Sequence, residues 1–295
     1  MTSDIHPLID HYIEEQQLPA SFRALVDDYL APLCRHVADV HRGKQHPLVL
    51  GVNGAQGSGK STACLFLKLL FEALYDKHCA ILSIDDFYLS RDERARLAAE
   101  LHPLLRTRGV PGTHNVALAI SVINALLNGN PVALPRFDKA NDDCVPSEQW
   151  PLQQRAVDII LFEGWCVGAR PQSDQQLAEP VNSLEREEDT EGHWRRYVNR
   201  CLMDDYQQLF AAIDVLVMFK VPDMASVFEW RSLQEQKLAQ TADPNSTALM
   251  SAQQVQRFIE HYERLTRHML MEMPDRADVV FSLSADHNIQ SARGL

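Results

Sequence analysis

Apolar residues follow two rhythms along this chain. Continuously apolar runs at residues 47–53, 79–84, 157–162, 214–220 and 277–283 read as short strands buried on both faces. Between them, apolar positions recur every three or four residues. Ala63, Phe66, Leu69, Leu70, Ala73 and Leu74 share one face of a helix over residues 61–77. A second helix is capped by Thr113-His114-Asn115 and runs to Leu127, where Asn128-Gly129-Asn130-Pro131 stops it. After Pro222 a long polar helix extends to about residue 239, a loop occupies residues 242–246, and a last helix covers roughly 248–271. Residues 1–46, with Phe22, Leu25, Val26, Tyr29 and Leu30 at helical spacing, read as a helical N-terminal extension. Strands that alternate with helices predict an α/β fold: a parallel sheet with helices on both faces. Residues 172–191 break the rhythm. They are acidic and rich in Gln and Glu, and read as an exposed insertion in a single domain spanning residues 47–295.

Charge narrows the class of partner. The 295 residues carry 28 Lys and Arg against 40 Asp and Glu, a net charge of −12 with histidine neutral. Such a chain lacks the basic footprint of a nucleic-acid or anionic-membrane binder, and an anionic ligand must be held by local cations. No CxxC pair occurs among the six cysteines, at 34, 64, 79, 144, 166 and 201. Cys64, Cys79 and Cys166 lie in apolar stretches, as buried thiols in a reducing compartment do. His36, His41 and His46 recur every five residues, which spreads them around a helix, so they read as surface residues rather than metal ligands. The N-terminus shows no basic segment followed by an apolar run, and the apolar stretches at 156–168 and 210–219 are too short to span a bilayer. The expectation is a cytoplasmic protein with no membrane partner.

Chemistry enters directly after the first strand. Gly54, Ala55, Gln56, Gly57, Ser58, Gly59, Lys60 and Ser61 match G-x-x-x-x-G-K-[ST], with Thr62 continuing into the helix. Glycines let successive N–H groups converge on a polyphosphate, Lys60 supplies a point charge, and Ser61 offers a hydroxyl to Mg²⁺. A strand before and an amphipathic helix after complete the context, so ATP and Mg²⁺ are the expected cofactors. No N-K-x-D segment points to guanine, and no L-S-G-G-Q run to a transporter ATPase. The strand that often ends in a metal-binding aspartate ends here in Glu163. Asp85 and Asp86 stand at the C-terminal end of the second strand, where ligands of parallel sheets bind, and a carboxylate there can accept the proton of an attacking hydroxyl.

Five segments in order carry a resemblance: Gly54–Ser61, Ser83-Ile84-Asp85-Asp86-Phe87-Tyr88-Leu89, Arg108-Gly109-Val110-Pro111-Gly112-Thr113-His114, Leu134-Pro135-Arg136-Phe137-Asp138-Lys139, and Phe162-Glu163-Gly164-Trp165-Cys166-Val167-Gly168. Together they resemble the plant-type D-glycerate 3-kinases and their fungal and bacterial relatives. More distantly they are similar to uridine kinase, phosphoribulokinase and bacterial pantothenate kinase. Residues 230–237 and 273–278 continue the likeness. The resemblance implies a P-loop kinase fold with a helical lid over residues 223–246. It further implies Asp85 as the base, with Asp86 sharing that task or binding Mg²⁺ through water, and Glu163 placing metal and substrate. Arg108, His114 and Arg136 would border the acceptor pocket, and Arg231 on the lid would stabilise the transferring phosphoryl group. The implied activity is transfer of the γ-phosphoryl group of ATP to D-glycerate. A nucleoside, pantothenate or another hydroxy acid remains open as acceptor, as does a regulatory protein that binds ATP.

Overall fold

In the computed structural model, which describes residues 5–241 and 250–295, all five apolar runs are strands of one sheet. In chain order the strands are β1 (Leu48–Gly54), β2 (Cys79–Ser83), the short β3 (Val132–Ala133), β4 (Phe137–Asp138), β5 (Asp143–Cys144) and β6 (Leu152–Gln153), then β7 (Ile159–Gly164), β8 (Val215–Lys220), β9 (Val279–Leu283) and β10 (Ile289–Arg293). The main sheet has the order β10-β9-β8-β1-β7-β2. Every neighbouring pair in it is parallel except β10 on β9. The chain passes from β1 to β2 over the place later filled by β7, and then returns to the other flank of β1 with β8. The crevice beside β1 is therefore the switch point where open α/β sheets bind ligands. Register aligns the contributors there, because Glu163 of β7 stands opposite both Val52 of β1 and Ser83 of β2.

The helices are α1 (His6–Glu15), α2 (Phe22–Leu25), α3 (Ala31–Arg42), α4 (Lys60–Tyr75), α5 (Arg91–Glu100), α6 (Val116–Leu127), α7 (Ser183–Glu188), α8 (His193–Met203), α9 (Asp205–Phe210), α10 (Met224–Thr241) and α11 (Ala252–Glu272). Helices α1 to α3 bury Ile9, Ile13, Leu33 and Val37 in the same core as Phe66, Leu70 and the facing side chains of β1 and β8. The N-terminal residues thus help cover one face of the sheet. The opposite face is covered by α6, α9 and α11 through Ile123, Phe210, Leu265 and Met269. The loop expected at residues 242–246, and the start of the last helix at 248, lie outside the described residues.

Most residues of the segment 172–191 are exposed, yet it is anchored to the domain at several points. Leu177, Asn182, Leu184, Glu185 and Asp189 are buried. Both oxygens of Glu185 accept from Arg264 of α11 at 2.7 Å, and the Asp189 carboxylate pairs with buried Arg195 at 2.9 Å. A buried charge requires such a partner, and these partners pin the segment to the domain. Helix α5 has no apolar stripe, and its sequence signal is instead the capping box Ser90–Glu93.

Candidate active site

The turn after β1 is shaped by left-handed glycines. Gly57 and Gly59 have φ of +80° and +82°, and Gly59 is the N-cap of α4. That conformation is strained for residues with a Cβ and turns the backbone N–H groups toward one concavity. Lys60 Nζ lies 3.9 Å from Glu163 Oε2, inside ion-pair range but beyond a hydrogen bond. Ser61 Oγ donates to Glu163 Oε1 at 3.0 Å. Glu163 Oε2 and Ser58 Oγ are buried with no hydrogen-bond partner. An orphaned carboxylate oxygen beside a hydroxyl is a hard-oxygen donor set, which fits Mg²⁺. Among the described residues no cluster of three or more His, Cys, Asp or Glu could hold a metal.

The 3₁₀ turn Ile84–Phe87 follows β2 and presents the two aspartates differently. Asp85 Oδ1 accepts from Tyr88 OH at 2.8 Å, and Oδ2 accepts from Lys139 Nζ at 2.7 Å. Burial raises its pKa, but the charges of Lys139 and Lys60 and the two hydrogen bonds outweigh that and hold the carboxyl below its ordinary value. Asp86 accepts from Arg136 at 3.2 Å and from the N–H of Phe137 at 3.2 Å. For Asp86 burial prevails over Arg136, and the pKa is raised. The ionised form of Asp85 is therefore favoured, within reach of the Lys60 charge, whereas Asp86 ties down the β4–β5 hairpin.

The residues expected around the acceptor are brought to this end of the sheet, though not as free cations. Arg108 pairs with Asp142 and lies over the Phe137 ring. Arg136 also donates to the Pro135 carbonyl at 2.8 Å. His114 is the most deeply buried of the three. Its ring is buried and stacked on Tyr88, Nδ1 is 2.6 Å from Tyr206 OH, and Nε2 has no partner. Burial pushes its pKa down to about 4 against the charge of Asp85, so it stands in the wall as a neutral ring and offers no charge to an anion.

Arg231 lies on α10, paired with Glu235 and resting on the Phe258 ring at 5.3 Å. The neighbouring Trp230 sets the helix against the phosphate turn, since a Cβ on Gly57 would come within 2.8 Å of Trp230 Cβ. Arg231, Arg108 and Asp85 all act on Tyr262, which is held by burial well above its ordinary pKa, and whose hydroxyl donates to the Arg108 carbonyl at 3.0 Å. Tyr88, Lys139, Trp230 and Tyr262 were not singled out by the sequence as site residues. Tyr88 and Lys139 stand inside two of the quoted segments, and their proximity to Asp85 was the missing information.

No protein-family model matches the chain. An uncharacterized kinase of Schizosaccharomyces pombe is 34% identical over 227 residues, covering 73% of this chain and 78% of that one. The chain belongs to this family of P-loop kinases. The chloroplastic D-glycerate 3-kinase of Arabidopsis thaliana is 30% identical over 226 residues, 73% of this chain but less than half, 46%, of that protein. A solved D-glycerate 3-kinase of Cryptococcus neoformans superposes with a TM-score of 0.75 at 25% identity, covering 92% of this chain and 99% of that one. The kinase is thus an ATP-dependent phosphotransferase with a small-molecule substrate. No described helix is long and apolar enough to cross a membrane.

Proposed function

We propose that this kinase transfers the γ-phosphoryl group of ATP to a hydroxyl of D-glycerate. The observation that carries the reading is Asp85: an ionised carboxylate at the end of β2, within the electrostatic reach of Lys60. The names of two relatives support D-glycerate as the acceptor. The polyphosphate lies on the N–H groups of residues 54–62, with Lys60 as its point charge. Ser61 and Glu163 would hold Mg²⁺, which when bound offsets negative charge on the phosphates. The acceptor hydroxyl faces Asp85. Its oxygen forms the new bond to the γ-phosphorus, the bond from that phosphorus to the ADP oxygen breaks, and the hydroxyl proton passes to the Asp85 carboxylate. Phosphoryl transfer runs through a loose transition state that needs orientation more than a strong base, so a carboxylate with a lowered pKa suffices. Arg231, once turned from Glu235, would stabilise charge on the transferring group while α10 excludes water.

The test is acceptor-dependent ADP release with ATP and Mg²⁺, over D-glycerate, L-glycerate, uridine and pantothenate, with Lys60→Ala as the blank. Stimulation by D-glycerate above the others, absent in the blank, is the expected result. Stronger stimulation by another acceptor reassigns the substrate, and no stimulation by any of them overturns the acceptor reading.

A further inference from the structure

The β4–β5 hairpin carries a cation for which the mechanism above has no task. Lys139 Nζ sits 2.7 Å from Asp85 Oδ2, the oxygen that an acceptor hydroxyl has to reach. The other oxygen is taken by Tyr88 OH, and Tyr88 is buried against His114 and Phe137. Oδ1 is thus fixed in the wall, and Lys139 covers the oxygen that remains.

The backbone under Lys139 is held from both sides. Asp138 accepts from the N–H groups of Ala140 at 2.9 Å and Asn141 at 3.1 Å. Buried Arg94 donates to the carbonyl of Asp142 at 2.7 Å, and the N–H of Arg91 donates to the Asp143 carboxylate at 3.0 Å. The side chain is another matter, being 62% exposed where that of Asp85 is 27% exposed. A flexible ammonium on a fixed turn therefore lies over a half-buried carboxylate. Arg108 and Arg136 are tied to carboxylates that belong to the scaffold, Asp142 and Asp86. Lys139 is paired with the group that must take the acceptor's proton.

Resting on the kinase reading above, we propose that Lys139 senses the charge of the acceptor. It masks Asp85 until an anionic group beside the acceptor hydroxyl draws the ammonium away, and it then binds that anion. Because Lys139 starts out paired with Asp85, the anion that draws it away must lie within the swing of one lysine side chain from the hydroxyl, as in a short hydroxy acid. Water and neutral alcohols bring no counter-charge to Lys139 and leave the pair closed. The mask thereby restrains both wasteful ATP hydrolysis and transfer to uncharged acceptors. Removing the ammonium should weaken binding of the anion while leaving the nucleotide side intact.

The experiment compares wild type, Lys139→Met and Lys139→Arg, each with D-glycerate, with glycerol as its neutral analogue, and with no acceptor. Lys139→Met is expected to raise KM for D-glycerate more than threefold and to lower the preference for D-glycerate over glycerol more than threefold. KM for ATP should stay within threefold, which also verifies the fold, and acceptor-free hydrolysis should rise. Lys139→Arg should recover most of the preference. A D-glycerate KM and a preference both within threefold of wild type in Lys139→Met overturn the sensor and leave the kinase reading standing. A wild type that D-glycerate does not stimulate overturns the acceptor reading, and this inference with it.

Discussion

Two glycines of the phosphate turn share a backbone conformation and differ in what surrounds them. Gly57 and Gly59 have φ of +80° and +82°. An alanine at either position bears the left-handed strain of a residue with a Cβ, about 1–2 kcal/mol. At Gly59 the new methyl group meets nothing within 4 Å, so that strain is the whole cost. At Gly57 it would approach Trp230 Cβ to 2.8 Å. That atom is no flexible tip, because Trp230 is buried and its indole N–H donates to the Ala285 carbonyl at 2.7 Å. Helix α10 must therefore move, and overpacking of this kind adds about 1–3 kcal/mol. Gly57→Ala is expected to destabilise the protein by about 2–5 kcal/mol and Gly59→Ala by about 1–2 kcal/mol. Urea unfolding without nucleotide, followed by circular dichroism, measures both. Equal destabilisation would refute the contact between the phosphate turn and α10.

Asp85→Asn should lower kcat by about 10²–10⁴-fold, the range for a general base, with KM for ATP little changed; unaltered turnover removes Asp85 from the chemistry. Arg264→Met leaves Glu185 as an unpaired buried charge and should cost about 3–5 kcal/mol in urea unfolding, much of it recovered by adding Glu185→Leu. A loss below 1 kcal/mol on the order-of-magnitude scale for surface pairs would show that residues 172–191 are not anchored through this pair. His114 gives a pH dependence of definite sign. Burial lowers its pKa from 6.5 to about 4, so the unfolded chain takes up the proton first as pH falls. Its contribution is fully present above the unfolded value and is lost between pH 6.5 and about 4, reaching about 3 kcal/mol. His114→Asn should flatten the stability-versus-pH slope in that window by up to one proton, and an unchanged slope would contradict a buried neutral ring.

Cations near the site work chiefly as scaffold. Arg94, almost wholly buried, donates to the carbonyls of Leu89, Arg106 and Asp142, and so ties together three segments that surround the aspartates. The Asp142 carboxylate pairs with both Arg94 and Arg108.

The amino-acid sequence alone determined whatever depends on neighbours in the chain. Five apolar runs became five strands of the main sheet, because a strand buried on both faces needs an unbroken apolar stretch. The phosphate turn was legible because its residues are contiguous. The rule that parallel sheets bind ligands at the carboxyl ends of their strands led to Asp85 and Asp86, and the register of β1, β7 and β2 sets Glu163 beside the end of β2 from which they follow. Only the tertiary structure decided the state of the charged groups. Glu185 meets Arg264 across 79 residues of chain, and Asp85 meets Lys139 across 54. Composition suggested an exposed acidic segment, and the resemblance implied a histidine at the acceptor pocket; folding buried His114 and tied the segment down through Glu185 and Asp189. The physical reason is that a carboxylate or imidazole takes its charge from its burial and its nearest partner, and both are set by chain segments that local spacing cannot bring into view.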